Sequence, residues 1–359
     1  MNPAPRVSLF CTCLLLSLTA AACGPTDVPD ARRDLLQSWG DTFLFPTYSR
    51  FKHQTAQLAA DSEVYCAAPS EKRFETLQAG WQQARESWKQ SEVFSFGPTK
   101  EFPWRLEPKI DFWPARPDTV EQRIELGGEF DADQIGAAGK GFPAIEWLLY
   151  GDPGQADLAN DSVRCRYLGT ITEDLARSAE QLLTAWEPQG DNYLAELTQA
   201  GRGSESFDSL RMALSEVVNR MGFLVENIRS EKLGKPLGSG KSNADPTKTE
   251  SQFSGRSFED IKDNLMGLER LYFGHNRGLG LRDYLAKQNA NFDEPMRVRL
   301  EHVREAIDRV PSPLTRAILE SPQDVVAVTE RLSELQRLIQ IEVVNALSLT
   351  LAFNENDGD

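Results

Sequence analysis

The chain has 359 residues, enough for two domains of ordinary size. It carries 54 acidic against 39 basic residues, a formal charge of −15, with 40% hydrophobic residues. An acidic surface repels phosphate backbones, which excludes nucleic acid as a partner class and disfavours charge-driven docking on anionic lipid; the apolar fraction excludes a disordered chain.

The N-terminus reads as an export signal. Arg6 supplies the positive start, and Val7 to Ala22 form an apolar, small-residue run too short for a comfortable membrane span. It ends in Ala20-Ala21-Ala22-Cys23, which resembles a bacterial lipoprotein box. Residues 1–22 are then the signal peptide, Cys23 is lipidated, and Gly24 implies sorting to the outer membrane. Ala20 stands where such a box usually has leucine, so plain cleavage after the alanines is the alternative. The expected location is the periplasm, with the membrane as partner through the lipid.

Five cysteines are present, and Cys11 and Cys13 leave with the signal. Cys66 and Cys165 remain, and a pair in an oxidising compartment is expected to form a disulfide; two free thiols are the alternative. Neither has a CxxC partner, so zinc or redox chemistry through them has little support.

Helical periodicity runs through the rest. Asp30 to Asp61 reads as a long helical stretch bent at Pro46. Ser70 is a good N-cap for a helix whose apolar face carries Phe74, Leu77, Trp81, Ala84 and Trp88, stopping by Gly97-Pro98. Glu101 to Arg116 is a proline-rich aromatic loop, long enough that it should pack. Gly141 to Gly151 (GFPAIEWLLYG) is a short apolar helix, and Cys165 to Trp186 a long one. Further helices follow at Phe207 to Ile228, Phe258 to Phe273, Glu294 to Val310 and Asp324 to Leu351. No segment alternates with the period of two that a strand needs. The expectation is all-α: two four-helix-bundle-like domains packed together, 28–195 and 196–359, with a flexible loop at 234–249. GSGKS in that loop lacks the spacing and the preceding strand of a P-loop.

Four landmarks in order carry a resemblance. They are WQQARESW (Trp81 to Trp88) running on to Phe96-Gly97-Pro98, IDFWP (Ile110 to Pro114), GFPAIEWLLYG, and ESQFS (Glu250 to Ser254) leading into Phe258-Glu259-Asp260-Ile261. The ending from Phe353 to Asp359 fits as well. Together they resemble the imelysin-like family, once described as insulin-cleaving membrane peptidases and linked to bacterial iron uptake. The resemblance implies two helical bundles, an exported protein of iron acquisition, and a GxHxxE signature. Here Pro143 replaces the histidine of that signature.

A His and a Glu three apart share a helix face and can meet one metal ion. Pro143 has no donor atom, so Glu146 alone cannot hold a transition metal. Help from Glu86 or Asp111 would make an oxygen site suited to a hard cation such as Ca²⁺ or Fe³⁺. The bland reading is that Pro143 starts the helix and Glu146 sits near its positive end in a structural role. Arg85 is placed to pair with Glu146 or clamp an anion, or else to make a surface salt bridge. Trp81, Trp88, Trp113 and Trp147 read as core or as a stacking platform. Ser251 and Ser254 read as turn and N-cap residues, or as part of a pocket between the bundles. His302 and Glu305 have metal spacing but lie among charged residues on a solvated face; His53 and His275 have no ligand partner in reach of spacing. No GxSxG elbow exists.

The pocket candidates are therefore Glu146, Pro143, Arg85, Trp88, Ser251 and Ser254, with Glu146 the one metal candidate and no catalytic residue assigned. The functional expectation is an exported lipoprotein with a non-catalytic binding or accessory role in iron or metal acquisition. Iron or another divalent or trivalent metal is the candidate cofactor. One alternative is a peptidase-like hydrolase using Glu146. Another is a scaffold for an outer-membrane receptor or a sibling imelysin-like protein; outer-membrane or periplasmic iron-uptake proteins are the candidate partners.

Overall fold

The computed structural model describes residue 1 and residues 30–152, 154–238 and 243–352. The signal segment, Cys23, most of the GSGKS stretch and the ending from Phe353 lie outside the described residues. Those described are helical with no strand, as the periodicity implies. None of their helices is long and apolar enough to cross a membrane.

Helix α1 (Ala31–Trp39) opens on Asp30, whose carboxylate accepts from the Arg32 N–H. It passes through a π-helical turn (Gly40–Leu44) into α2 (Phe45–Ala67). The irregularity thus falls one turn before Pro46 rather than at it. Proline has no N–H to give to the Thr42 carbonyl, and its ring crowds that position, so the preceding turn widens. Helix α3 (Glu71–Ser91) starts where Ser70 predicts, with the Ser70 hydroxyl accepting from Arg73 N at 3.4 Å. The 101–116 loop is pinned by a single helical turn, Glu107–Ile110, whose Ile110 is buried.

Helix α4 (Gly141–Tyr150) has Pro143 in its first turn, where its missing N–H is not needed. Gly141 lies at φ +73°, and a Cβ there would sit 2.4 Å from the Ile110 carbonyl oxygen; only glycine lets the 107–111 turn approach so closely. Helix α5 (Ser162–Trp186) lies against α2, which is also covered by α3. Cys66 at the end of α2 and Cys165 in the first turn of α5 are joined by a disulfide, as the cysteine count implies.

The second half supplies α6 (Leu210–Asn227), α7 (Ser257–Phe273), α8 (Asp293–Arg309) and α9 (Pro322–Arg337). The last helix does not continue to Leu351; it loosens into a π-helical turn (Leu338–Val343) and ends after Val344–Ala346. Within 234–249 the described ends form helical turns at Lys235–Leu237 and Pro246–Lys248, and Thr249 is buried, so the stretch is less loop-like than its composition suggests.

Helices α8 and α9 pack on each other, and α9 on α6, whereas α7 packs chiefly on α3 of the first half. The two helices come close because Gly267 of α7 faces the Gln90 carbonyl oxygen; an added Cβ would lie 2.1 Å from it. Gly267→Ala is therefore expected to destabilise the chain by about 1–3 kcal/mol through overpacking. A urea melt of the variant that matched the parent would contradict this close contact.

Candidate functional site

The α3–α7 contact is lined by charges rather than by leucines. Arg85 and Lys89, one turn apart on α3, face Asp260 and Asn264, one turn apart on α7. All four side chains are buried. Arg85 donates through Nε to Asp260 Oδ2 at 2.7 Å and through Nη1 to Asp111 at 3.2 Å, with Glu250 at 3.4 Å from Nη2. Its guanidinium also lies 5.5 Å from the ring centres of both Trp81 and Phe142. Arg85 is thus neither a surface ion pair nor a direct partner of Glu146.

Lys89 sits at the centre of three carboxylates. Its ammonium is 2.6 Å from Glu92, 2.7 Å from Asp111 and 2.5 Å from Glu250. Lys232 closes the far side on Glu92 at 2.8 Å and Glu250 at 3.1 Å, and also reaches Asn264 at 2.8 Å. It is delivered by a π-helical turn, Ile228–Gly234, a distortion common where a helix must re-aim a side chain. Burial opposes charge on Arg85, Lys89, Asp111 and Glu250, yet mutual attraction outweighs it. Asp111 and Glu250 are held below the usual carboxylate range by the surrounding cations, and Arg85 and Lys89 well above their ordinary values by the carboxylates.

Glu92, Asp111 and Glu250 form the one grouping of three metal-capable side chains among the described residues, with oxygens within 4.8 Å of one another. A cation already stands there in the form of Lys89. Glu146 is outside this group. Its Oε1 accepts from the Ser254 N–H at 2.8 Å and the Ser254 hydroxyl at 2.6 Å. The residues present therefore do not fit a transition metal at Glu146: Pro143 offers no donor, and the carboxylate is held by serine.

Ser251 and Ser254 both lie in the turn before α7 and neither caps it; Ser251 lines a crevice beside Glu146, and Ser254 only holds Glu146. The Ser251 hydroxyl bonds Asp260 Oδ2 at 2.5 Å, and its φ of +50° turns the chain toward the cluster. The structure brings Arg85, Pro143, Glu146 and Ser251 to one narrow crevice, which Trp113, Thr249 and Gln252 complete. The crevice has no room for a water molecule. Two buried polar atoms on its walls, Trp113 Nε1 and Thr249 Oγ1, have no hydrogen-bond partner. Trp113 also borders an open groove of about 510 Å³, which Asp111, Glu250 and Lys232 help to line. Trp88 takes no place on either wall; it is buried and donates to Asp111 at 2.9 Å. Trp147 is half-buried, bonded to Glu121 and edge-on to Phe253. Glu86 accepts from Gln90 and takes no part in the carboxylate group. His302 is exposed, as the solvated-face reading holds.

Lys89, Lys232, Glu92 and Asn264 were not legible as site residues. Glu250 and Asp260 lay inside the fourth landmark but were not singled out there.

Burial pushes the Glu146 carboxyl up to about 7, against the pull of Arg85 and Ser254. Its folded pKa lies above its unfolded value of 4.5, so the folded chain holds the extra proton between those limits. Stability from this group is present at low pH and falls as pH rises from about 4.5 to 7, by roughly 3 kcal/mol in all. Glu146→Gln should match the parent near pH 4.5 and exceed it above pH 7, in urea melts across that range. A variant with the parent's pH slope would refute the buried, proton-binding carboxyl.

Comparisons with known proteins agree with this fold. A family model described as imelysin, peptidase M75, matches residues 44–340. Iron-regulated protein A of Synechococcus elongatus is 26% identical over 334 residues, covering 91% of this chain and 88% of that protein. A structure described as an iron-regulated protein A precursor from Parabacteroides distasonis superposes with a TM-score of 0.74 at 20% identity, over 91% of this chain and 95% of that one. An imelysin-like protein from Psychrobacter arcticum gives 0.71 at 19%, over 90% and 97%.

Proposed function

The chain belongs to the imelysin family, and from that premise we propose that it is an exported, lipid-anchored protein that binds a ligand in bacterial iron or metal acquisition without catalysing a reaction. The observation that carries the reading is the pairing of Pro143 with a serine-held Glu146, which removes the His–Glu metal pair while leaving a shaped crevice. Trp113 and Thr249 support a binding role, since buried donors without partners are rare unless something is to meet them. The name iron-regulated protein A, borne by the cyanobacterial relative, supports the iron setting. Calorimetric titration with Fe²⁺, Fe³⁺, Zn²⁺ and Ca²⁺, before and after Glu146→Ala, tests the site. Heat from a transition metal that vanishes in the variant would overturn the loss of the metal pair.

One observation favours a hydrolase instead: a carboxyl that titrates near 7 suits general acid–base work. Against it stands Pro143, which supplies no second acid–base group beside Glu146. Cleavage of an unfolded protein substrate that is abolished by Glu146→Gln would establish this second reading. Acyl groups on Cys23, sought by mass spectrometry of the protein from membranes, test the anchor.

A further inference from the structure

We propose that the end of the molecule at the N-terminus of α1 is a membrane-facing surface that docks on anionic phospholipid headgroups. Its cellular setting rests on the lipid anchor proposed above; the contact itself does not.

Four arginines gather at this end of a chain whose net charge is −15. Arg32 and Arg211 line two adjoining hollows of about 310 and 320 Å³, and the second also holds Arg33 and Arg202. The acids in these hollows are Asp30 and Asp208, both in the second; the first contains none. Basic residues outnumber acidic ones four to two among those that line the two hollows. Arg202 and Arg211 are exposed, and Arg32 and Arg33 half-buried. Arg32 is braced on Asp30 at 3.0 Å and Arg33 on the Thr198 carbonyl at 2.8 Å, so the patch is pre-organised rather than loose. Tyr284, Leu347 and Leu349, half-buried on the wall of the first hollow, add the amphipathic and apolar contacts that suit a headgroup layer.

The covalent chain points the same way. Six residues separate Cys23 from Asp30, and the seven steps of chain span at most about 25 Å when extended. A lipid on Cys23 would keep this end within that reach of the bilayer. Screening over about 8 Å at physiological salt lets the local patch, not the total charge, decide the contact. The overall acidity that disfavours lipid docking therefore does not govern this face. Each basic residue at an anionic surface strengthens binding about fivefold.

The test uses the mature chain from residue 23. Cys66 and Cys165 being paired, Cys23 is the thiol left for coupling to a maleimide lipid in preformed vesicles. Trypsin is expected to cut after Arg202 in the exposed run Gly201-Arg202-Gly203. On phosphatidylglycerol vesicles this cut is expected to slow at least about fivefold relative to phosphatidylcholine vesicles. The protection should disappear at about 0.5 M salt. It should also disappear in Arg32→Gln/Arg211→Gln, which keeps the cleavage site; circular dichroism checks its fold. Equal cutting on both lipids, or protection that survives the double substitution, would overturn the docking surface. Finding Cys23 unacylated in the native protein would overturn the anchor alone.

Discussion

Lys89→Met is expected to cost the folded chain about 3–5 kcal/mol, the largest effect of any single side chain at the α3–α7 contact. Methionine keeps the length and apolar stem of lysine, so the loss is of charge and not of volume. Three carboxylates, from Glu92, Asp111 and Glu250, then face one another with no cation at their centre, only Lys232 and Arg85 at the edges. The pH dependence separates this cause from poor packing. Folded-state pKa values of Asp111 and Glu250 are depressed, so their contribution is present above the unfolded carboxylate range and lost as pH falls through the folded values. Lys89 is raised, so its contribution is complete below its unfolded value of 10.5 and lost only at higher pH. In the variant the orphaned carboxylates take up protons more readily, and the deficit relative to the parent should narrow below about pH 4.5. Urea melts at pH 7 and pH 4 measure it. A deficit that is small at pH 7, or unchanged at pH 4, would mean the cage does not hold the two helices as described.

Much of the fold was legible because a helix writes its period into its own sequence. Phe74, Leu77, Trp81, Ala84 and Trp88 mark one face of α3 without reference to any partner, and Ser70 marks its start. The boundaries that slipped lie at π-helical turns, at Gly40–Leu44 and Leu338–Val343, where the apolar period continues while the backbone widens. The site was harder for a different reason. Arg85 and Lys89 look like the polar face of an amphipathic helix, and only the approach of α7, allowed by Gly267, makes that face an interior. Lys232 arrives from 140 residues away in sequence to meet Glu92, with no local pattern to announce it. Glu146 and Pro143 were legible as a pair through the family landmark, and Ser254 through its own, but their meeting is a tertiary fact.

Breaking the Cys66–Cys165 bridge by paired alanine substitution should lower stability by about 4–5 kcal/mol, the cost expected for a closed loop of this size. The two cysteines are 99 residues apart in sequence and their α-carbons 5.7 Å apart in the fold. The helices they join are already held by other means. Tyr65, Leu168, Ile171 and Leu175 are buried in the core, and Ser62 meets Thr172 at 3.0 Å. The folded state therefore loses little when the bridge goes, and the effect falls on the unfolded chain, which gains the freedom of a long loop. That cause has a signature beyond a lower midpoint. A more expanded unfolded state exposes more surface, so the slope of the urea transition should steepen in the variant. Helix content by circular dichroism, and the pH response attributed to Glu146, should stay as in the parent, because the crevice lies on α4 and the segment before α7 rather than on the bridged ends. A variant with an unchanged midpoint would show that the bridge does not form in solution. One that loses helix content, or the pH response along with stability, would show that the bridge shapes the native fold instead of restraining the unfolded chain.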